Sequence, residues 1–198
     1  MKRKMRSGFT LAEVLITLAI IGVVAAMSIP ALIGSTNQQE YKVAFKKAVA
    51  VLNQAITMSI ALESTSASQC DGCSTTGTAS AFSNYFANRL NVIAAGPDTN
   101  SFYTADGAMY RFIKRATGGA VAGVCDTAST STTVDYDTAP CMVLIDVNGK
   151  KGPNQVSTGN KLNNTANFKD QYYIIIKDTA AVPGNDGTNS IAQDALSY

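Results

Sequence analysis

The sequence predicts an α+β fold in which one long N-terminal helix, half membrane-spanning and half amphipathic, packs on a small antiparallel β-sheet. Three observations lead there. Phe9 to Ile33 is an apolar run with Glu13 as its one charge. Three- and four-residue apolar spacing resumes between Tyr41 and Ser59. Short segments dense in strand formers follow towards the C-terminus.

The apolar run reads FTLAEVLITLAIIGVVAAMSIPALI. As a helix it would extend roughly 37 Å, enough to cross a hydrocarbon layer of ~30 Å. A buried helix of a soluble core is disfavoured, because the segment has no polar face to leave in water. Before it, residues 1–8 hold four of the sixteen basic residues (Lys2, Arg3, Lys4, Arg6) and no acid. The positive-inside bias keeps that cluster cytoplasmic and sends everything after Gly34 outside. Without residues 1–8 the chain has twelve basic and fourteen acidic side chains, so a net charge of +2 becomes −2. The basic balance therefore belongs to the leader, and no basic stripe interleaved with aromatics points to nucleic acid.

The first apolar residues, on to Ile33, are followed by a loosening at Gly34-Ser35-Thr36. Then Tyr41, Phe45, Ala48, Leu52, Ala55, Ile56 and Ser59 mark one helical face, with Lys42, Lys46, Lys47 and Asn53 on others, and the helix is expected to end near Glu63. Gly22 and Pro30 are positions where the rod should weaken and kink. Ser64–Ser80 reads as a loop. Phe82, Phe86, Leu90 and Ile93 suggest a short amphipathic helix. Strands are expected at Ala108–Arg115, near Ala120–Cys125, at Cys141–Val147 and at Tyr172–Lys177, with Asp126–Pro140 as an insertion loop and an irregular tail after Pro183. The resulting organisation is 1–8 leader, 9–33 membrane and assembly helix, 34–63 amphipathic continuation and 64–198 globular domain.

The chain has no His and no Trp. The commonest general base is missing, so most hydrolase constellations are excluded and no catalytic residue is assigned. Cys70, Cys73, Cys125 and Cys141 all follow the apolar run, where an even number of thiols suits disulfides. Cys125–Cys141 would close the insertion loop and Cys70–Cys73 would form a local link, but four cysteines allow three connectivities and sequence does not choose. Cys70-Asp71-Gly72-Cys73 has Ser/Thr loop on both flanks, not the strand and helix of a redox site, and its spacing to Cys125 and Cys141 makes a weak zinc site.

Glu13 is the least explained residue. A carboxylate at membrane depth costs ~2.5–3.5 kcal/mol near the centre and calls for a partner. No Lys or Arg lies between Arg6 and Lys42. A plain secretory signal, with Val24-Ala25-Ala26 as its cleavage site, needs no such acid.

Ser7-Gly8-Phe9-Thr10-Leu11-Ala12-Glu13-Val14-Leu15-Ile16 resembles the processing site of the type IV pilin and type II secretion pseudopilin superfamily. The resemblance covers about 30 of the 198 residues. It implies a pilin-like fold and cleavage between Gly8 and Phe9 by a prepilin peptidase, which also methylates the new Phe9 amine. It implies that Glu13 meets the N-terminal amine of a neighbouring subunit during assembly. The expected partners are further copies or other pilins in a mixed filament, the peptidase and an inner-membrane assembly platform. The expected location is the bacterial inner membrane, single-pass with the C-terminal domain outside, and then a surface or periplasmic filament. A type IV pilus subunit is expected first, with a type II secretion or DNA-uptake pseudopilin as alternative. More distant are a membrane-tethered binding protein that never polymerises and a tethered thiol oxidoreductase.

Asp146-Val147-Asn148-Gly149-Lys150-Lys151-Gly152-Pro153-Asn154 reads locally as a tight turn. It also resembles a D-x-N-G…G-P-N segment of pseudopilin C-terminal domains, where a loop binds calcium. By that resemblance Asp146, Asn148 and Asp170 could offer oxygens. Calcium takes six to eight of them, and Lys150 and Lys151 argue against a tightly held cation.

Overall fold

The computed structural model describes residues 8–67, 69, 79–114, 141–158, 167–184 and 191–197. The chain divides into two units, Met1–Gln39 and Glu40–Tyr198, each described by itself.

The first unit is the N-terminal part of α1, a helix spanning Leu11–Glu63. Pro30 lies inside it, and it does not loosen into coil at Gly34–Thr36 as the sequence suggested. A Gly costs a helix only about 1 kcal/mol, and the local hydroxyls serve the helix instead of opening it. Thr36 Oγ1 donates to Leu32 O (2.9 Å) and Ser28 Oγ to Val24 O (3.0 Å). Gly22 has open space around its α-carbon.

In the second unit α1 presents Phe45, Ala48, Leu52, Ala55, Ile56 and Ser59 as a buried stripe, with Tyr41 packed at its margin. These are the residues that the three- and four-residue spacing selects. The helix closes at Glu63, where Ser64 takes a left-handed backbone (φ 53°) and its N–H reaches back to Ile60 O at 3.0 Å.

The stripe packs on a six-stranded antiparallel meander of order β1-β2-β3-β4-β5-β6. The strands are β1 Val92–Ala95, β2 Ser101–Thr104, β3 Met109–Lys114, β4 Cys141–Asp146, β5 Gln171–Ile176 and β6 Ala181–Pro183. Every residue of β4 is buried, which makes it the centre. Across the sheet Phe102 pairs with Tyr110, Tyr110 with Ile145 and Ile145 with Tyr172, while Phe112 pairs with Val143 and Val143 with Ile174. Strand side chains alternate faces, so these two rows lie on one face. All seven residues belong to the main core cluster. Phe45 of α1 stacks on Tyr172 with ring centroids 4.3 Å apart, and Phe86 stacks on Phe112 at 5.0 Å. The pairs join the helices to the sheet through aromatic rings, side chains that bury large apolar areas.

Other boundaries move. The amphipathic helix expected to run to Ile93 is α2, Ala79–Ala87. The N–H groups of Asn88, Arg89 and Leu90 close its last turn on Asn84 O and Phe86 O. Ile93 belongs to β1 and is 63% exposed, so it never continued the helical stripe. The sheet adds β1, β2 and β6, which sequence reading did not find, and the tail holds a short helix, α3 Ile191–Leu196, with Ile191, Ala192 and Ala195 buried. The strand expected near Ala120–Cys125 and the insertion Asp126–Pro140 lie outside the described residues.

Candidate functional site

The N-terminal site is built by the helix start. Leu11 opens α1, which makes Thr10 its N-cap and Glu13 the third helical residue. Both halves of a capping box form. The Thr10 N–H and hydroxyl donate to Glu13 Oε2 at 2.8 and 2.7 Å, and the Glu13 N–H donates to Thr10 Oγ1 at 3.3 Å. Val14 N–H closes the first turn on Thr10 O at 3.3 Å.

The partner of Glu13 within the helix is therefore not a cation. It is Thr10, three residues upstream, and the signal was present as Thr-x-x-Glu ahead of an apolar run. The carboxylate also lies at the positive end of the helix, where an anion is favoured. Both Thr10 donors lie C-terminal to the Gly8–Phe9 bond, so a cut there leaves the box intact.

Behind the cap, Leu11–Pro30 has a mean hydropathy of 2.3 and buries none of itself within the chain. Phe9 is 89% exposed and Leu11, Leu15, Leu18, Ile21 and Val24 are between 59% and 79% exposed. It is one helix long and apolar enough to cross a membrane. Gly8 and Phe9 precede the helix in open, accessible chain.

A second cluster forms where β4 leaves the sheet and β5 enters it. Asp146 and Asp170 are both buried. Asp146 Oδ1 accepts the Asn148 N–H (3.3 Å) and its Oδ2 accepts Gln171 Nε2 (2.9 Å). Asp170 Oδ2 accepts the Asn154 N–H (2.6 Å) and its Oδ1 the Gln155 N–H (2.8 Å). Asn148 Nδ2 donates to Gly152 O at 3.2 Å, while its buried Oδ1 has no well-formed bond. The turn between them includes Gly149, at φ 66°, where a Cβ would stand 2.2 Å from Gly107 O. Only glycine tolerates both that backbone angle and that approach.

Burial pushes the Asp146 carboxyl above its ordinary value, and the Asp170 charge adds to this against the opposing Gln171 bond. Burial, Asp170 and Glu40 likewise raise the Tyr41 phenol, with Asn148 opposing them. Burial is also the main reason why Tyr172 is pushed up to about 12. The structure thus brings Asp146, Asn148 and Asp170 into one neighbourhood. Among the described residues no three His, Cys, Asp or Glu side chains gather as a metal site.

Cys141 begins β4, buried and disulfide-bonded. Cys70, Cys73 and Cys125 lie outside the described residues, and so do the expected Cys70–Cys73 and Cys125–Cys141 links.

Comparison with known families matches residues 3–29 to the prokaryotic N-terminal methylation motif. No match was found among curated proteins or among solved structures. The matched stretch contains Gly8 and Phe9, the Thr10–Glu13 cap and nearly all of the exposed apolar helix. The chain carries the N-terminal signature of a type IV pilin-like or pseudopilin precursor.

Proposed function

We propose that the chain is a non-catalytic structural subunit of a type IV pilus-like filament, cut after Gly8 by a prepilin peptidase, methylated on Phe9 and assembled through its N-terminal helix. The observation that carries this reading is the helix Leu11–Pro30, apolar and wholly unburied, with a single carboxylate held at its N-terminal end. Such a surface needs an apolar surrounding twice: lipid before assembly and neighbouring helices after it.

Cleavage would create an ammonium on Phe9, four residues before Glu13. A second ammonium, from a neighbouring subunit, would meet a carboxylate already ordered by Thr10, at little further entropic cost. In a low-dielectric filament core the pair would neutralise charges that neither lipid nor packed helices solvate. The domain from Glu40 onward has its own core, so it is suited to be carried outward as a rigid body.

The test is Glu13→Val in the native host. The account expects a processed, membrane-bound chain that no longer appears in sheared surface material. If Glu13→Val assembles as the wild type does, the filament role of this carboxylate is wrong, and a tethered binding protein becomes the better reading. Wild-type filaments that reach the surface only on overexpression favour a secretion or DNA-uptake pseudopilin.

A further inference from the structure

The turn after β4 holds a third set of contacts that bears on the calcium expectation. One end of the Asn154 side-chain amide lies 2.9 Å from Lys151 O, 3.0 Å from Asp146 Oδ2 and 3.0 Å from Gly149 O. All three neighbours are acceptors, so with no cation among them the amide is assigned with its nitrogen facing them. Turned by half a rotation, the amide would instead place its oxygen among three others and begin a calcium shell. The two arrangements occupy the same space and exclude each other.

The surroundings favour the nitrogen. Asn154 is held by its own backbone, left-handed at φ 51° and bonded through N–H to Asp170. Each oxygen of Asp146 and Asp170 already accepts an N–H from Asn148, Gln171, Asn154 or Gln155. Asn148 Oδ1 is the one buried side-chain oxygen of the described turn left without a well-formed bond. Even the turned amide would gather four oxygens, its own with Lys151 O, Asp146 Oδ2 and Gly149 O, fewer than the six to eight that calcium takes. Lys150 and Lys151 bring positive charge into the same turn, with Lys150 Nζ 5.1 Å from the centre of the Tyr103 ring.

We propose that the Asn154 amide stands where a cation would otherwise sit, so that this turn is held by hydrogen bonds and Asp146, Asn148 and Asp170 do not form a calcium site. The amide bridges the start of the turn (Asp146), its tip (Gly149, Lys151) and, through its backbone, the strand that follows (Asp170). Asn154 is then the specificity-determining residue of the loop.

The test uses the full processed chain in detergent and follows thermal unfolding with millimolar calcium or with chelator. The wild type is expected to melt at the same temperature in both. Asn154→Asp replaces the donor by a charge facing three acceptors. It is expected to lower the midpoint in chelator by about 4–8 °C, the loss of one charge-assisted bond in a chain of this size. A calcium-dependent rise of the wild-type midpoint, or terbium luminescence from the wild type at micromolar ion, overturns the proposal. So does Asn154→Asp melting like the wild type in chelator. Asn154→Ser, smaller and uncharged, covers the case in which the aspartate variant does not fold, and it too must melt lower with no rescue by calcium.

Discussion

The side-chain amide of Asn53 grips the backbone of Ala181 through both ends. Its Oδ1 accepts the Ala181 N–H at 2.9 Å and its Nδ2 donates to Ala181 O at 3.0 Å. Nδ2 also bonds Val49 O one turn back in α1 (3.0 Å). Ala181 begins β6, the last strand of the meander, and pairs with Ile176 on the other side. The helix side chain therefore does what a further strand would do and leaves less of that edge open to another chain. Asn53→Ala is expected to cost about 1–3 kcal/mol, because it strands a buried donor and acceptor together. Asn53→Asp keeps the acceptor for the Ala181 N–H but turns a carboxylate oxygen towards Ala181 O and Val49 O, so it should cost at least as much. Urea unfolding of both variants reads the difference.

Phe45 joins α1 to the sheet through an aromatic stack. It is fully buried and stacked on Tyr172. Truncation to Ala removes both the transfer energy and the stacking and leaves a cavity, an expected loss of about 3–5 kcal/mol. Phe45→Leu should lose markedly less. The same unfolding measurement checks it, and equal losses would mean that the ring contact contributes nothing specific.

Asp106 gives the fold an acid limit. Burial pushes its carboxyl up, but the Thr104 hydroxyl, the Lys47 ammonium at 2.9 Å and the Ala108 N–H outweigh this and leave it below 3.8. A folded-state value below the unfolded one means that the unfolded chain binds the proton first. Stability from this group is therefore fully present above about 3.8 and is lost as pH falls through the lower folded value. Relative to the wild type, Asp106→Asn should be less stable at pH 6 and should converge with it in strong acid. Unfolding midpoints at both pH values show the crossover, and a gap that stays constant with pH would contradict it.

Thr10 and Glu13 separate by degree. Thr10→Ala removes the hydroxyl donor but keeps the backbone N–H that bonds Glu13. The cap is worth about 1 kcal/mol, so assembly should fall several-fold while cleavage continues. Glu13→Val should abolish assembly. Immunoblots of sheared and membrane fractions distinguish the two.

The helix face from Phe45 to Ser59 was legible because burial of a helix leaves a 3.6-residue imprint that only packing explains. Strands β3, β4 and β5 were legible because Met142 to Ile145 and Tyr172 to Ile176 are buried or nearly so and rich in strand formers. Strands β1, β2 and β6 are only three or four residues long, too short to show an alternation, although β2 is largely buried. Ile93 misled because a three-residue step from Leu90 fits a helix as well as chance. The helical spacing sets Asn53 apart from the buried stripe, and nothing local reveals a partner 128 positions away. The N-terminal motif was legible, because a basic leader, Gly8-Phe9, Glu13 and the apolar run stand close together in sequence, and residues 3–29 match the methylation motif. The capping role of Thr10 is written in the sequence as Thr-x-x-Glu, whereas the part played by Asn154 depends on carbonyl positions that sequence does not show.

The most direct measurement is the intact mass and N-terminal sequence of the chain recovered from membranes or sheared surface material of its native host. A mature chain that begins at a methylated Phe9, with Glu13 as its fifth residue, is the result expected. A start within Val24–Ser28 would mean an ordinary signal peptide, and an uncut Met1 in the presence of an active prepilin peptidase would mean a permanent tether. Either would contradict the account of a processed filament subunit.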